Sequence, residues 1–176
     1  RILAEKMQIP VVTTLLGKGA FPEDHELALG MLGMHGTPYA NLAVRDCDLI
    51  MSIGSRWDDR ILGNPETFCQ HAKKIHIDID QAENGKLIVP DIFIHGDARL
   101  VVEELNALVS PGKTQTWVKH CAKQRKRHPL KYKKVGGLRS EYVLDRLNEL
   151  ARKDAIFTTD VGQHQMWAAQ FIRTNE

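Results

Sequence analysis

Apolar positions along this chain follow two rhythms. Short unbroken apolar or β-branched runs occur at 11–15, 28–31, 49–53, 75–79 and 92–94, most of them bounded by glycine, proline or charged residues. Runs of that kind read as strands buried on both faces. Between them lie stretches whose apolar residues recur three and four apart, the helical period. Strand and helix alternate over about the first hundred residues, which predicts an α/β fold built on a doubly wound parallel sheet.

Helix starts are marked by side-chain chemistry. Thr37 puts a capping hydroxyl ahead of Pro38, so a helix is predicted from Pro38 to about Arg45. Asp97 plays the same part for a helix over 98–108, where Leu100, Val101, Leu105 and Leu108 form an apolar stripe. The chain opens inside a helical pattern, with Ile2, Leu3 and Met7 able to share a face. Ser110-Pro-Gly-Lys113 breaks the periodicity. Further helices are predicted from Thr116 to about Tyr132 and from Ser140 to about Lys153, separated by Gly136 and Gly137. A last strand at 155–159 leads through Asp160-Val-Gly162 into a final helical stretch, whose Trp167 and Phe171 are expected to belong to the core of a further domain. The expected organisation is an α/β domain at 1–109, a basic linker helix at 110–139 and the start of a second α/β domain at 140–176.

Composition narrows the class. Over 176 residues, 43% are hydrophobic and 26% charged, the balance of a globular protein rather than a disordered one. No apolar run approaches the roughly 20 residues of a bilayer span. Cys47, Cys69 and Cys121 stand far apart without CxxC spacing, so neither a zinc site nor a disulfide framework is indicated and a reducing compartment is the default. The net charge is only +2, and much of the basic excess lies at 119–134. Few aromatic residues are interleaved there, which favours a solvated helix face over a nucleic-acid patch.

In parallel α/β sheets ligands sit at the carboxyl ends of the strands, so the loops that follow each strand carry the chemistry. Here they hold Gly17-Lys-Gly19, Gly30-Met-Leu-Gly-Met-His-Gly-Thr37, Gly54-Ser-Arg-Trp-Asp-Asp-Arg60, Asp78-Ile-Asp80 and Gly96-Asp97. Gly36 and Thr37 at a helix start expose amide donors suited to a phosphate. Arg56 and Arg60 offer forked donors to a pyrophosphate, and Asp78 and Asp97 can accept from ribose or ribityl hydroxyls. A large dinucleotide is expected. The glycine spacing is not GxGxxG, so FAD, NAD and CoA-like ligands all remain open. His35, between glycines, is read as facing the ligand. His76 alternates with Ile75 and Ile77 inside a strand and is read as structural, while Asp58 and Asp59 are expected to pair with the neighbouring arginines rather than hold a metal.

These residues carry a resemblance. The runs Pro10-Val-Val-Thr-Thr-Leu-Leu-Gly-Lys-Gly-Ala-Phe-Pro22, Gly30 to Thr37, Asp58-Asp-Arg60 and His76-Ile-Asp-Ile-Asp80 resemble the middle domain of the acetohydroxyacid synthases. Thr159-Asp-Val-Gly-Gln-His-Gln-Met-Trp-Ala-Ala-Gln-Phe171 resembles the opening of their thiamine-diphosphate domain. The resemblance implies FAD contacts at Thr14, Leu15, Leu16, Met34, His35, Gly36, Gly54, Arg56, Asp58, Arg60, Asp78, Ile79, Gly96 and Asp97. It implies thiamine-diphosphate contacts at Val161, Gly162, Gln163 and His164. It places no catalytic residue and no metal ligand in this chain, the family's Mg2+ being held by residues outside it. The family reaction joins two 2-ketoacids with loss of CO2, and its enzymes are homodimers or homotetramers, some with a regulatory subunit. They bind neither nucleic acid nor membrane, and work in the cytoplasm of bacteria or the plastid or mitochondrion of eukaryotes. A glyoxylate carboligase shares the middle-domain plan, and a nucleotide-binding module without turnover is the alternative of a different class. Three positions depart from the family: Trp57 for Phe, Ser55 for Ala, and Asn84 for Ile. The family's middle domain also has a strand ahead of the helix that opens here, expected to lie centrally, so unpaired edges are predicted within the sheet.

Overall fold

Every strand ladder in the computed structural model, which describes residues 1–133, 137–152 and 154–174, is parallel. After helix α1 (Ile2–Met7), β1 (Val11–Thr13) pairs with β2 (Ala28–Met31), Val11 lying opposite Ala28. Helix α2 (Pro38–Asp46) leads to β3 (Leu49–Ile53), then α3 (Asp59–Leu62), β4 (Lys73–Asp78), β5 (Ile92–His95) and α4 (Ala98–Leu108). Strands β3, β4 and β5 form a second sheet in that order. Helices α5 (Gln115–Arg127), α6 (Ser140–Leu150) and α7 (Gln163–Phe171) complete the described elements.

The α/β class is therefore as the sequence predicts, but the strands form two sheets instead of one. Ladder bonds join backbones roughly 4.8 Å apart, and β1 and β3 each have such a neighbour on one side alone. Side chains couple the sheets instead. Val12 of β1 and Ile50 of β3 both pack against a cluster of Val44, Trp57, Leu62, Phe68, Cys69 and Ala72.

The strand predicted at 155–159 does not form. A β-prone run becomes a strand only beside a backbone that can take its hydrogen bonds, and no described segment pairs with it. Strand β1 stops at Thr13 because the Gly17 amide donates to Thr14 Oγ1 at 2.9 Å and closes a turn. Helix α5 stops at Arg127, short of Tyr132, since Pro129 disfavours helical geometry in the residue before it. Helix α6 ends at Leu150, and the predicted boundaries at Gly136 and Lys153 lie outside the described residues.

Thr37 caps α2 as expected and does more. Its Oγ1 accepts the Ala40 amide at 3.1 Å and donates to the Leu29 carbonyl at 2.8 Å, tying the helix to β2 in a buried position. Thr37→Ala should therefore cost about 1–2 kcal/mol in urea unfolding, with Thr37→Ser recovering most of it. An unchanged midpoint for the alanine variant would show that neither bond contributes.

The 110–113 break is not a free tether. A Cβ on Gly112 would lie 2.0 Å from the Met7 carbonyl oxygen, and Thr114 Oγ1 donates to the Gln8 carbonyl at 2.6 Å. This segment seals the carbonyls at the end of α1. Beyond it, α5 packs on α2, with Cys121 buried and the Arg125 guanidinium 5.7 Å from the centre of the Tyr39 ring. The basic stretch is thus solvated on one side and anchored on the other. Phe171, expected to belong to a core elsewhere, sits edge-on to Tyr132 at 5.8 Å.

Candidate functional site

Parallel register brings the tips of β3, β4 and β5 together. Ile53 lies opposite Ile77, and Asp78 opposite His95. Just past the strands, the Gly54 amide donates to the Ile77 carbonyl at 2.8 Å and the Gly96 amide to the Asp78 carbonyl at 3.0 Å. Gly54, Asp78, Ile79, Gly96 and Asp97 consequently line one edge of this sheet.

The loop after β2 joins them across the gap between sheets. The Met34 amide donates to the Arg60 carbonyl at 2.9 Å. Gly33, next to it, has φ +104, and a Cβ there would stand 2.4 Å from the same oxygen. Only glycine permits that approach. Asn41 on α2 holds the turn from below: its Oδ1 accepts the Gly33 amide and its Nδ2 donates to the Gly33 carbonyl, both at 3.0 Å. The Leu32 amide donates to the Thr13 carbonyl at 2.9 Å, which sets Thr14, Leu15 and Leu16 beside this loop. Helix α7 reaches the same place, Gln170 Nε2 donating to the His35 carbonyl at 2.8 Å.

Several polar side chains at the strand ends hold these loops in place. His76 is 1% exposed, stacks on Trp57 at 4.7 Å and meets the edge of Phe93 at 5.4 Å. Its Nε2 lies 3.1 Å from the Ser55 carbonyl oxygen and 3.6 Å from Asp78 Oδ2, so the ring supports the loop after β3 from inside. That agrees with the structural reading of His76. Asp78 is buried as well, accepting the Asp80 amide on Oδ1 at 2.9 Å. Asp97 caps α4, its Oδ1 accepting the amides of Arg99 and Leu100 at 2.9 and 3.1 Å.

Asp58 differs from expectation. Rather than pairing with an arginine side chain it caps α3, accepting the Arg60 amide at 3.1 Å. An aspartate just ahead of a helical turn finds an unsatisfied amide at shorter range than a flexible guanidinium. Asp59 does approach Arg60, at 4.0 Å, but both side chains are solvated and such a contact is weak. Arg56 is exposed and makes no ion pair among the described residues. Asn84, the polar substitution singled out in the sequence, is exposed at the end of a short helical turn, where an amide is well solvated.

On the outer side of these loops the surface is apolar and open. Leu16, Met34 and Ile79 are 89, 64 and 69% exposed. His35 is exposed, and a Cβ on Gly54 would meet nothing within 4 Å. Gly162 stands at the cap position of α7 with Gln163 and His164 in its exposed first turn, and Val161 just before it is exposed too. A cavity of about 420 Å³ lies at the opposite, amino ends of β1 and β2, among Pro10, Leu27, Val118, Cys121 and Arg125. It shares no residue with the tip loops. Asn41 and Gln170 were not picked out as site residues in the sequence, and Gly33 was named only as one of the loop's glycines, without its contact to Arg60. Their roles depend on partners eight or more residues away, which no local pattern announces.

The amino-acid sequence has relatives among known proteins. Residues 1–105 match the family described as thiamine pyrophosphate enzyme, central domain. The chain belongs to that family. The span that matches this thiamine pyrophosphate enzyme domain takes in all five strands and runs into α4. The chain is 44% identical over 99% of its length to the acetolactate synthase large subunit of Cyanidium caldarium. It is 48% identical over 98% to an acetolactate synthase of Mycobacterium bovis, and 46% identical over 97% to acetolactate synthase 1, chloroplastic, of Oryza sativa. It spans 31, 29 and 28% of those relatives' own lengths. The relatives come from a bacterium, an alga and a plant, and among the described residues no helix is long and apolar enough to cross a membrane.

Proposed function

We propose that this chain is part of the catalytic subunit of an acetolactate synthase and that its strand tips hold FAD. The observation that carries the FAD reading is the union of loops, Met34 bonded to the Arg60 backbone, together with the exposed side chains of Leu16, Ile79 and Arg56, the last without an ion pair among the described residues. A flat apolar ring system would cover the exposed side chains, and a pyrophosphate would take up the guanidinium groups. Open space over Gly54 lets a bulky ligand reach the backbone. FAD in this reading is bound rather than used as a net redox carrier. Thr14, Leu15, Leu16, Met34, His35 and Gly36 line one part of its path, Gly54, Arg56, Asp58 and Arg60 the next, and Asp78, Ile79, Gly96 and Asp97 the last.

Val161, Gly162, Gln163 and His164 are the residues we assign to thiamine diphosphate. The first turn of α7 offers amides and an imidazole to its diphosphate, and the two ends of this helix link that turn to the FAD loops through Gln170. Thiamine diphosphate, when bound, supplies the carbanion chemistry that joins pyruvate to pyruvate or 2-ketobutyrate with loss of CO2. This chain's share is to bind and orient, and Mg2+ would be held by residues outside it. The division proposed is residues 1–109 for FAD and 140–176 for thiamine diphosphate.

Titrating the chain with FAD and following flavin fluorescence and the melting temperature tests the reading. Saturable binding is expected, with ADP alone weaker. Arg56→Ala with Arg60→Ala should weaken FAD about tenfold or more, as loss of charge-assisted phosphate contacts implies. No response at high FAD, or equal binding by the double variant, would remove the physical basis of the assignment.

A further inference from the structure

Two cysteines that are far apart in sequence meet in space. Cys47 follows the last residue of α2, and Cys69 lies in the turn before β4. Both thiols donate to one acceptor, the Val44 carbonyl oxygen, from Cys47 Sγ at 3.1 Å and Cys69 Sγ at 3.0 Å. Two sulfurs that share an oxygen at those distances are at most about 6 Å apart, a gap that a disulfide would close to about 2 Å.

Each thiol influences the other: the neighbouring Cys69 lowers the pKa of Cys47, and Cys47 raises that of Cys69. Cys47 is half-buried and Cys69 is 2% exposed, which gives one thiol open to a small oxidant and one shielded behind it. Cys69 also has φ +46, a left-handed backbone uncommon for a residue other than glycine. Val44 contributes one of the terminal carbonyls of α2 that the helix cannot satisfy, and the two thiols cap it.

We propose that Cys47 and Cys69 are a peroxide-responsive dithiol that closes to an intramolecular disulfide. The oxidant is a hydroperoxide, of which hydrogen peroxide is the simplest. The Cys47 thiolate attacks one peroxide oxygen: an S–O bond forms, the O–O bond breaks, and the departing hydroxide takes a proton to leave as water. Cys69 then attacks the Cys47 sulfur; the S–S bond forms, the S–O bond breaks, and the Cys69 proton leaves with the second water. Two thiols lose two electrons and two protons, and one peroxide becomes two waters. The bond would fasten the end of α2 to the entry of β4 and withdraw both donors from the Val44 carbonyl. The segment it spans carries the Gly54–Arg60 loop. None of this depends on what binds at the strand tips.

Hydrogen peroxide titration of the whole chain tests it, followed by alkylation, non-reducing digestion and mass spectrometry. Expected is one cross-linked pair of peptides, containing Cys47 and Cys69 and lighter by two hydrogens, reversed by dithiothreitol. Cys121, buried and with burial raising its pKa to about 11, should stay alkylatable after unfolding. Cys69→Ser should halt the reaction at a Cys47 sulfenic acid that dimedone traps. A wild-type chain in which Cys47 goes on to sulfinic acid while Cys69 stays reduced would overturn the proposal. So would a bond to Cys121, or one between chains. The wild-type peptide map decides the matter even if the serine variant does not fold.

Discussion

Gly33→Ala should separate the loop after β2 from the loop after β3 and weaken FAD binding by at least about tenfold. The added Cβ would stand 2.4 Å from the Arg60 carbonyl oxygen, which is backbone and cannot swing away. At φ +104 the alanine is strained as well, by about 1–3 kcal/mol. Relief means moving either loop, which breaks the Met34 amide bond to Arg60 and undoes the clamp from Asn41. Gly85→Ala, away from the proposed FAD path, is the control. It has a positive φ of +70 but no atom nearer than 4.0 Å to its Cβ, so only the smaller positive-φ penalty, roughly 1–2 kcal/mol, applies. Flavin titration and thermal melting of both variants measure the difference. If Gly33→Ala bound FAD and melted as the parent does, the contact between loops would not shape the site.

Trp57→Ala should be the most damaging single truncation for the fold, costing about 3–5 kcal/mol in urea unfolding. Trp57 is buried, belongs to the largest apolar cluster described, and stacks its ring on the buried imidazole of His76. Its removal leaves both a cavity and a polar ring without cover, and a domain has only about 5–15 kcal/mol in hand. Trp57→Phe keeps a ring against His76 and Phe68 and should lose far less. A loss below about 1 kcal/mol for the alanine variant would mean that the cluster relaxes and that the loop after β3 has other support.

The two substitutions bear on different layers of one site. Trp57 and His76 hold the loop after β3 from inside, whereas Gly33 lets the neighbouring loop reach it from outside. Their effects on flavin affinity should accordingly be linked: Trp57→Phe should disturb binding little, because the Ser55 carbonyl keeps its imidazole contact.

Residues with a local signature were legible in the chain. Thr37 before Pro38 and Asp97 before a helical stripe fixed where α2 and α4 begin, since a cap needs only its own next few residues. Apolar runs located all five strands, although β3 and β5 are not buried on both faces as expected: Leu49, Ile53 and Ile92 are exposed. The glycine-rich loops pointed to the carboxyl ends of those strands, where parallel register alone brings Gly54, Asp78 and Gly96 together.

Other features depended on partners distant in the sequence. The run at 155–159 has strand composition and no ladder, as composition cannot supply a neighbouring backbone. Asp58 looked like an arginine's partner and proved to be a cap, a choice made by the short helix that follows it. Cys47 and Cys69 gave no sign of meeting, their sequence separation matching no known thiol spacing. The sequence by itself determined the class of fold, the order of its elements and the loops that bear the ligand chemistry, through hydrophobic period, caps and glycine. Tertiary structure alone decided which sheet each strand joined, how Gly33 and Arg60 came into contact and which thiols became neighbours, because each depends on surfaces meeting across the fold rather than along the chain.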